Sequence, residues 1–160
     1  TWKAREYDCP TRFIELAGEI NVAMTDYVVT QVIHALNQHK KALNGSRVLL
    51  IGMAYKDNVD DIRESPSLKL MELLLEKGAI VDYYDPYVPM IKPTRQYPHL
   101  TGGPSIEWNL DEIARYDAVL ISTAHSCINY DELVGKAQLL IDTRNATRSV
   151  VDGREKIIKA

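Results

Sequence analysis

Cysteine is scarce in this chain of 160 residues: only Cys9 and Cys127 are present, far apart and without CxxC or histidine spacing beside either. That scarcity excludes both a disulfide framework and a zinc site. No stretch approaches the roughly 20 apolar residues needed to span a bilayer, and no signal-peptide pattern is visible. No excess of positive charge is present either; a net charge of −3 gives no electrostatic case for nucleic acid or an acidic membrane. Glycine is missing where a dinucleotide site would want it, because Gly52 is followed by Ala54 and Lys56 rather than by two more glycines. Internal repeats and low-complexity tracts are absent as well. A cytoplasmic protein is the expectation.

What remains is ordinary globular composition, 46% hydrophobic and 26% charged, at a length that suits about one domain. The chain opens at Thr1-Trp2-Lys3 without an initiator Met, so a fragment or a processed product is the expectation. Over residues 11–43 apolar side chains recur near the helical period, as Phe13, Ile14, Leu16, Ala17 and Ile20, then Tyr27, Val28, Val32 and Leu36. Pro10-Thr11 reads as a start, Asn44-Gly45-Ser46 as a stop, and Thr25-Asp26 as a break that caps a second helix. A helix of roughly 30 residues is about 45 Å long, more than a small domain needs to cover its own sheet. Its first half is therefore expected to dock on another domain or on a second copy of the chain.

After Gly45 the pattern alternates between strand and helix. Residues 47–52 form a β-branched and leucine-rich run. Residues 65–77 read as a helix with Ser65 as N-cap, Pro66 at its first position and Gly78 beyond its end, burying Leu68, Leu70, Met71, Leu74 and Leu75. Strands are expected over 79–84, 118–123 and 138–142, with short helices over 111–116 and 131–135 and an edge strand over 156–159. Residues 87–104 hold four of the seven prolines and form an irregular excursion. The alternation predicts an α/β fold: a Rossmann-like parallel sheet with helices on both faces, preceded by a long helix. The division is into residues 1–44, the connecting helix, and 45–160, the Rossmann-like domain.

Parallel strands put their carboxyl ends along one edge, where ligands bind in open α/β sheets. Tyr55-Lys56 follow the first strand, Asp85 the second, Thr123-Ala124-His125-Ser126 the third and Asp142-Thr143-Arg144-Asn145 the fourth. Lys56 and Arg144 together suit a phosphate or pyrophosphate, Lys as a point charge and Arg as a planar fork of donors. Blander readings stay open. Lys56 and Arg63 also suit local pairing with Asp57, Asp60, Asp61 or Glu64, and Arg144 suits a helix C-terminus or pairing with Asp142. Asp85 suits a turn continued by Pro86 as well as a ribose contact, and it lies further from Gly52 than the roughly 20 residues of the dinucleotide pattern. His125 suits a donor to a nearby carbonyl. Cys9 and Cys127 read as inert small hydrophobes. The residues alone point to a phosphate-ligand crevice and to no catalytic group.

Four segments carry a more specific resemblance: Gly52-Met53-Ala54-Tyr55-Lys56, Asp60-Asp61-Ile62-Arg63-Glu64-Ser65-Pro66, Tyr84-Asp85-Pro86-Tyr87-Val88-Pro89 and Asp142-Thr143-Arg144-Asn145. They resemble the C-terminal part of the UDP-glucose/GDP-mannose dehydrogenase family. Thr1-Trp2-Lys3-Ala4-Arg5-Glu6-Tyr7 and Thr11-Arg12-Phe13-Ile14-Glu15-Leu16-Ala17 resemble its branch acting on UDP-N-acetylhexosamines. The resemblance implies a cytoplasmic oxidoreductase of polysaccharide biosynthesis, which oxidises the sugar C6 alcohol to a uronate in two NAD-dependent steps through a cysteine thiolate. It implies an N-terminal NAD domain, absent from this chain, then a central helix that forms a homodimer, then a UDP-sugar domain. By the same resemblance Lys56 and Arg144 contact the UDP-sugar, Tyr55 lines the uridine or sugar side, and Arg63 reaches toward NAD. The family's nucleophile sits in a Gly-Gly-x-Cys-x-Pro motif that Cys9-Pro10 does not match, so no catalytic residue is assigned. Alone, the chain is expected to be inactive. Two other readings stay open: a non-catalytic nucleotide-binding or subunit-assembly module, and a complete small Rossmann-type enzyme, against which the missing glycine loop argues.

Overall fold

Five short apolar strands build the centre of the molecule, seen in a computed structural model that describes Tyr7 and residues 11–160. They are β1 (Arg47–Ile51), β2 (Ile80–Tyr84), β3 (Ala118–Ile121), β4 (Leu140–Asp142) and β5 (Ile157–Lys159). All pair in parallel, in the order β2-β1-β3-β4-β5. Four of five residues in β1, and every residue of β3 and β4, are buried, as expected for strands covered on both faces. The order reverses direction between β1 and β3, so the topological switch point lies beyond their carboxyl ends.

Two helical layers cover the sheet. One face carries α1 (Arg12–Gln38) and α2 (Pro66–Glu76), packed over Val48, Leu50, Leu120 and Ile141. The other carries α3 (Leu110–Ile113) and α4 (Tyr130–Lys136), packed over Leu49, Ile51, Val119 and Leu140. The alternation along β1 thus sends Val48 and Leu50 to one core and Leu49 and Ile51 to the other, which is the period of a strand. Ser65 caps α2 by accepting from the Ser67 N–H, and Pro66 occupies its first turn. Leu75, expected on the buried face of α2, is instead 39% exposed.

The long helix departs from expectation in two ways. It runs unbroken through Thr25-Asp26, because Thr25 is buried and donates its hydroxyl to the Val22 carbonyl within the same helix. It stops at Gln38, not Leu43; His39 and Lys40 close the last turn, and Lys40 lies at φ 58°. Its second half buries Val28, Val29, Val32, Ala35 and Leu36. Its first half leaves Phe13, Ile14, Leu16, Ile20 and Val22 exposed. Strand and helix ends elsewhere shift by one to three residues from expectation, most at α3, which ends at Ile113. The excursion over 87–104 holds a 3₁₀ turn, Pro98–Leu100, and an antiparallel bridge between Met90 and Pro104. No described helix is long and apolar enough to cross a membrane.

Candidate functional site

The loop after β1 is the most constrained segment at the sheet's carboxyl edge. It turns on Gly52, at φ 86°, where an added Cβ would lie 2.5 Å from the Thr123 main-chain oxygen. Only glycine fits there, both for its positive φ and for the close approach of β3's continuation. The Thr123 hydroxyl then donates to the Ala54 carbonyl at 2.6 Å.

Asp85, just beyond β2, holds the near end of this loop. Its Oδ2 accepts from the Met53 N–H at 2.7 Å and the Ala54 N–H at 2.9 Å. Its Oδ1 accepts from the Tyr87 and Val88 N–H groups at 2.8 and 3.1 Å, so the turn reading of Asp85 is also correct. Burial raises the carboxyl pKa, but the hydrogen bonds from His125 and these main-chain amides outweigh it and leave the pKa below the usual value.

His125 holds the far end. The imidazole is fully buried; its Nδ1 accepts from the Asn58 N–H at 3.0 Å, and its Nε2 lies 3.0 Å from Asp85 Oδ2. An amide can only donate, so Nδ1 is unprotonated and Nε2–H donates to the carboxylate: a neutral ring in one tautomer. The expectation of a bond to a carbonyl is thereby replaced by one to a carboxylate. Asn58, at φ 60°, accepts from both the N–H and the hydroxyl of Ser126 through its Oδ1. Sequence reasoning missed Asn58; its signal was an Asn in a loop, a residue that tolerates the left-handed region.

Between these two anchors Tyr55, Lys56 and Asp57 stand exposed. Lys56 forms no hydrogen bond or ion pair with the described residues, so the local-pairing reading fails for it. It holds for Arg63: the guanidinium is 85% exposed and makes a two-pronged contact with Asp61, at 3.0 Å from Nε and 2.7 Å from Nη2. That contact draws the Asp61 carboxyl down to about 2.

Asp142 anchors the loop after β4 in a similar way. It accepts from the Arg144, Ala146 and Thr147 N–H groups, from the Thr147 hydroxyl, and from Lys159 Nζ at 2.6 Å. Arg144 therefore meets Asp142 through its main chain, not its side chain. Its Nε donates to the Ser122 carbonyl at 2.8 Å, and its terminal nitrogens face no described hydrogen-bond partner.

These residues border two open clefts. One, of about 860 Å³, lies between the first half of α1 and the sheet edge, where Arg144, Thr143 and Ser122 face Ser65, Lys69 and Val28. The other, of about 790 Å³, runs between the 60–64 segment and the proline-rich excursion, with Arg63, Asp60, Lys92 and Arg95 on its walls. Tyr55 and Lys56 line neither. Arg144 is brought to the helix start of α2, while Lys56 stands on the clamped loop two strands away. Cys127, read from sequence as an inert small hydrophobe, is a free and exposed thiol, and Cys9 lies outside the described residues. The described residues contain no group of side chains able to hold a metal ion.

The arrangement does not fit a dinucleotide pyrophosphate after β1. The amides that would cradle it, Met53 and Ala54, already donate to Asp85, and Thr123 fills the space over Gly52. The fold and its edge therefore define a doubly wound α/β domain whose switch point presents cations on clamped loops rather than a glycine cradle.

Residues 49–149 match the UDP-glucose/GDP-mannose dehydrogenase family, UDP binding domain, and the chain belongs to that family. It is 32% identical over 153 residues to a UDP-N-acetyl-D-mannosamine dehydrogenase of Methanococcus maripaludis, a match that covers 90% of this chain and 33% of that protein. It is 29% identical over 127 residues to a UDP-N-acetyl-D-glucosamine 6-dehydrogenase of Pseudomonas aeruginosa, covering 79% of this chain and 28% of that protein. Among solved structures, an NDP-N-acetyl-D-galactosaminuronic acid dehydrogenase of Methanosarcina mazei superposes with a TM-score of 0.70 at 26% identity, over 91% of this chain and 30% of that one. The chain spans about a third of the length of the curated relatives it matches.

Proposed function

We propose that this chain is the UDP-sugar-binding part of an NAD-dependent UDP-N-acetylhexosamine or UDP-glucose 6-dehydrogenase. The observation that carries the reading is Lys56, unpaired on a loop clamped at both ends, within a chain that matches the family's UDP binding domain. Lys56 supplies a point charge to the diphosphate. Arg144, fixed at Nε by the Ser122 carbonyl, offers its free terminal nitrogens as a second grip, and Tyr55 lines the uridine or sugar side. Arg63 is the residue directed at NAD, which the protein would hold mainly on a domain outside this chain.

NAD supplies the hydride acceptor when bound. What these residues do is hold the nucleotide end of the sugar substrate, so that binding energy remote from C6 orients the reacting carbon. None of the described residues is assigned to the chemical step, and the chain alone transfers no hydride. The protein belongs in the cytoplasm, and its exposed α1 half pairs with a second copy or with the missing domain. The test is calorimetry with UDP on the protein that carries this chain. Lys56→Ala combined with Arg144→Ala is expected to weaken UDP by more than about tenfold and to raise KM for the sugar nucleotide. Parental affinity and KM in that double variant overturn the assignment.

A second reading, a subunit-assembly module, is favoured by one observation: residues 12–14 and 16–24 of α1 are exposed on all sides, with Phe13 at 88%. Sedimentation equilibrium that shows a monomer at micromolar concentration counts against it.

A further inference from the structure

We infer that His125 is a positioning residue for the Lys56 loop, acting through Asn58 rather than on any ligand; the inference rests on the reading of Lys56 as a contact to UDP. Residues 53–58 follow β1 beyond the carboxyl edge of the sheet. Their first two amides and their last one are referred to a single carboxylate, Asp85. At the start the link is direct. At the end it passes through the imidazole, which accepts from the Asn58 amide on one nitrogen and donates to Asp85 from the other. The ring is a rigid spacer between a backbone donor and a buried acceptor, and its two nitrogens have the opposite polarities those partners need. Tyr87 lies against it, with ring centroids 5.1 Å apart, and no part of the imidazole reaches solvent.

The economy of the arrangement lies in what is left free. The Met53, Ala54 and Asn58 amides run to the buried Asp85 and His125, and the Tyr55 N–H to the Asp61 carbonyl, while Tyr55, Lys56 and Asp57 are exposed. A lysine contact to a phosphate is worth more when its backbone is already in place, because less freedom is lost on binding. An apolar residue at 125 of the same size would strand the Asn58 N–H and one lone pair of Asp85, so packing alone does not explain a histidine here.

The two nitrogens can be tested one at a time. In His125→Asn the side-chain oxygen sits where Nδ1 does and keeps the acceptor for Asn58. In His125→Gln the side-chain amide reaches where Nε2 does and keeps the donor to Asp85, but the Asn58 amide is abandoned. Calorimetric Kd for UDP is measured on the protein carrying this chain. His125→Gln is expected to weaken UDP by about tenfold, and His125→Asn to stay within about threefold of the parent. In a Lys56→Ala background, His125→Gln is expected to add less than about twofold, because the residue it positions is gone.

Additive losses in that cycle, or parental affinity in His125→Gln, overturn the inference. If Lys56→Ala itself binds UDP as the parent does, the reading of Lys56 fails and the inference falls with it. Loss at Lys56 without coupling removes the inference alone. Should His125→Gln not fold, His125→Ala tests the same link with a smaller side chain, because it too removes the Nδ1 acceptor from the Asn58 N–H. A loss of about threefold that vanishes in Lys56→Ala is expected, and parental affinity overturns the inference.

Discussion

The loops after β1 and β4 carry the two cations we propose as grips on the ligand, and each hangs from a buried aspartate, but the two suspensions differ in kind. Asp85 belongs to the neighbouring strand and is satisfied by four main-chain amides and a neutral imidazole. Asp142 ends its own strand and adds an ammonium, Lys159, from the edge strand β5. The first suspension is closed to water. The second is open on one side, where the Lys159 side chain is 44% exposed. A dry suspension held by dipoles fixes its loop without regard to salt. A wet one held partly by a counter-ion ties its loop to ionic conditions and to the integrity of an edge strand. On the proposed function, Lys56 is therefore the preset grip and Arg144 the adjustable one.

The largest break in that comparison is Asp85→Ala. It strands four amides and the Nε2–H of His125 together, and losing the acceptor from a buried hydrogen-bonded network costs several kcal/mol. We expect a loss of about 4 kcal/mol in urea unfolding, with UDP binding abolished in whatever folds. A loss below about 1 kcal/mol would mean that water replaces the carboxylate, and the suspension would not be closed.

Asp142 is the milder case, and pH isolates it. Burial raises its carboxyl pKa, yet the bonds from Lys159, Thr147 and the Arg144 amide prevail and bring it from 3.8 down to about 2. A carboxylate depressed on folding stabilises above its unfolded pKa and loses that contribution as pH falls through its folded one. The contribution, roughly 2 kcal/mol, is therefore complete above about pH 4 and gone near about pH 2. Asp142→Asn is expected to be less stable than the parent by about that amount at neutral pH and to converge with it in acid. Parallel stability curves across that window would refute the assignment.

Much of this edge was legible from residues. Ser65-Pro66 announced the start of α2, and the alternation of strands and helices the parallel sheet. Each is a local rule whose physics acts within a few positions. Asp85 was readable as a turn residue because its bonds to Tyr87 and Val88 are local. Its bonds to Met53 and Ala54 reach back more than thirty positions, and no spacing rule reports them. The same is true of His125 with Asn58, 67 positions apart, and no spacing rule reports Lys159 with Asp142 either, 17 apart. The length of α1 was legible but its continuity was not, because Thr25 looks like a cap until its hydroxyl is seen bonding within the helix. Lys56 and Arg63 were indistinguishable as loop cations; only three dimensions separated the free one from the paired one.

Lys159→Met carries the smallest expected effect and sharpens the comparison most. The ammonium also lies 3.1 Å from Asn145 Oδ1 and 3.0 Å from Thr147 Oγ1, so it knits three residues of the Arg144 loop to the edge strand. Because it is half exposed, its net contribution is about 1 kcal/mol at low salt, and it is expected to shrink by half or more near 1 M, where charges are screened within about 3 Å. Methionine keeps the apolar stem and removes only the charge. Urea unfolding at low and high salt should then show a gap between parent and variant that closes with salt. The variant's acid limb should also move to higher pH, because Asp142 without its counter-ion is protonated more readily. A salt-independent gap would assign the effect to packing of the stem, and the loop after β4 would be as dry as the loop after β1.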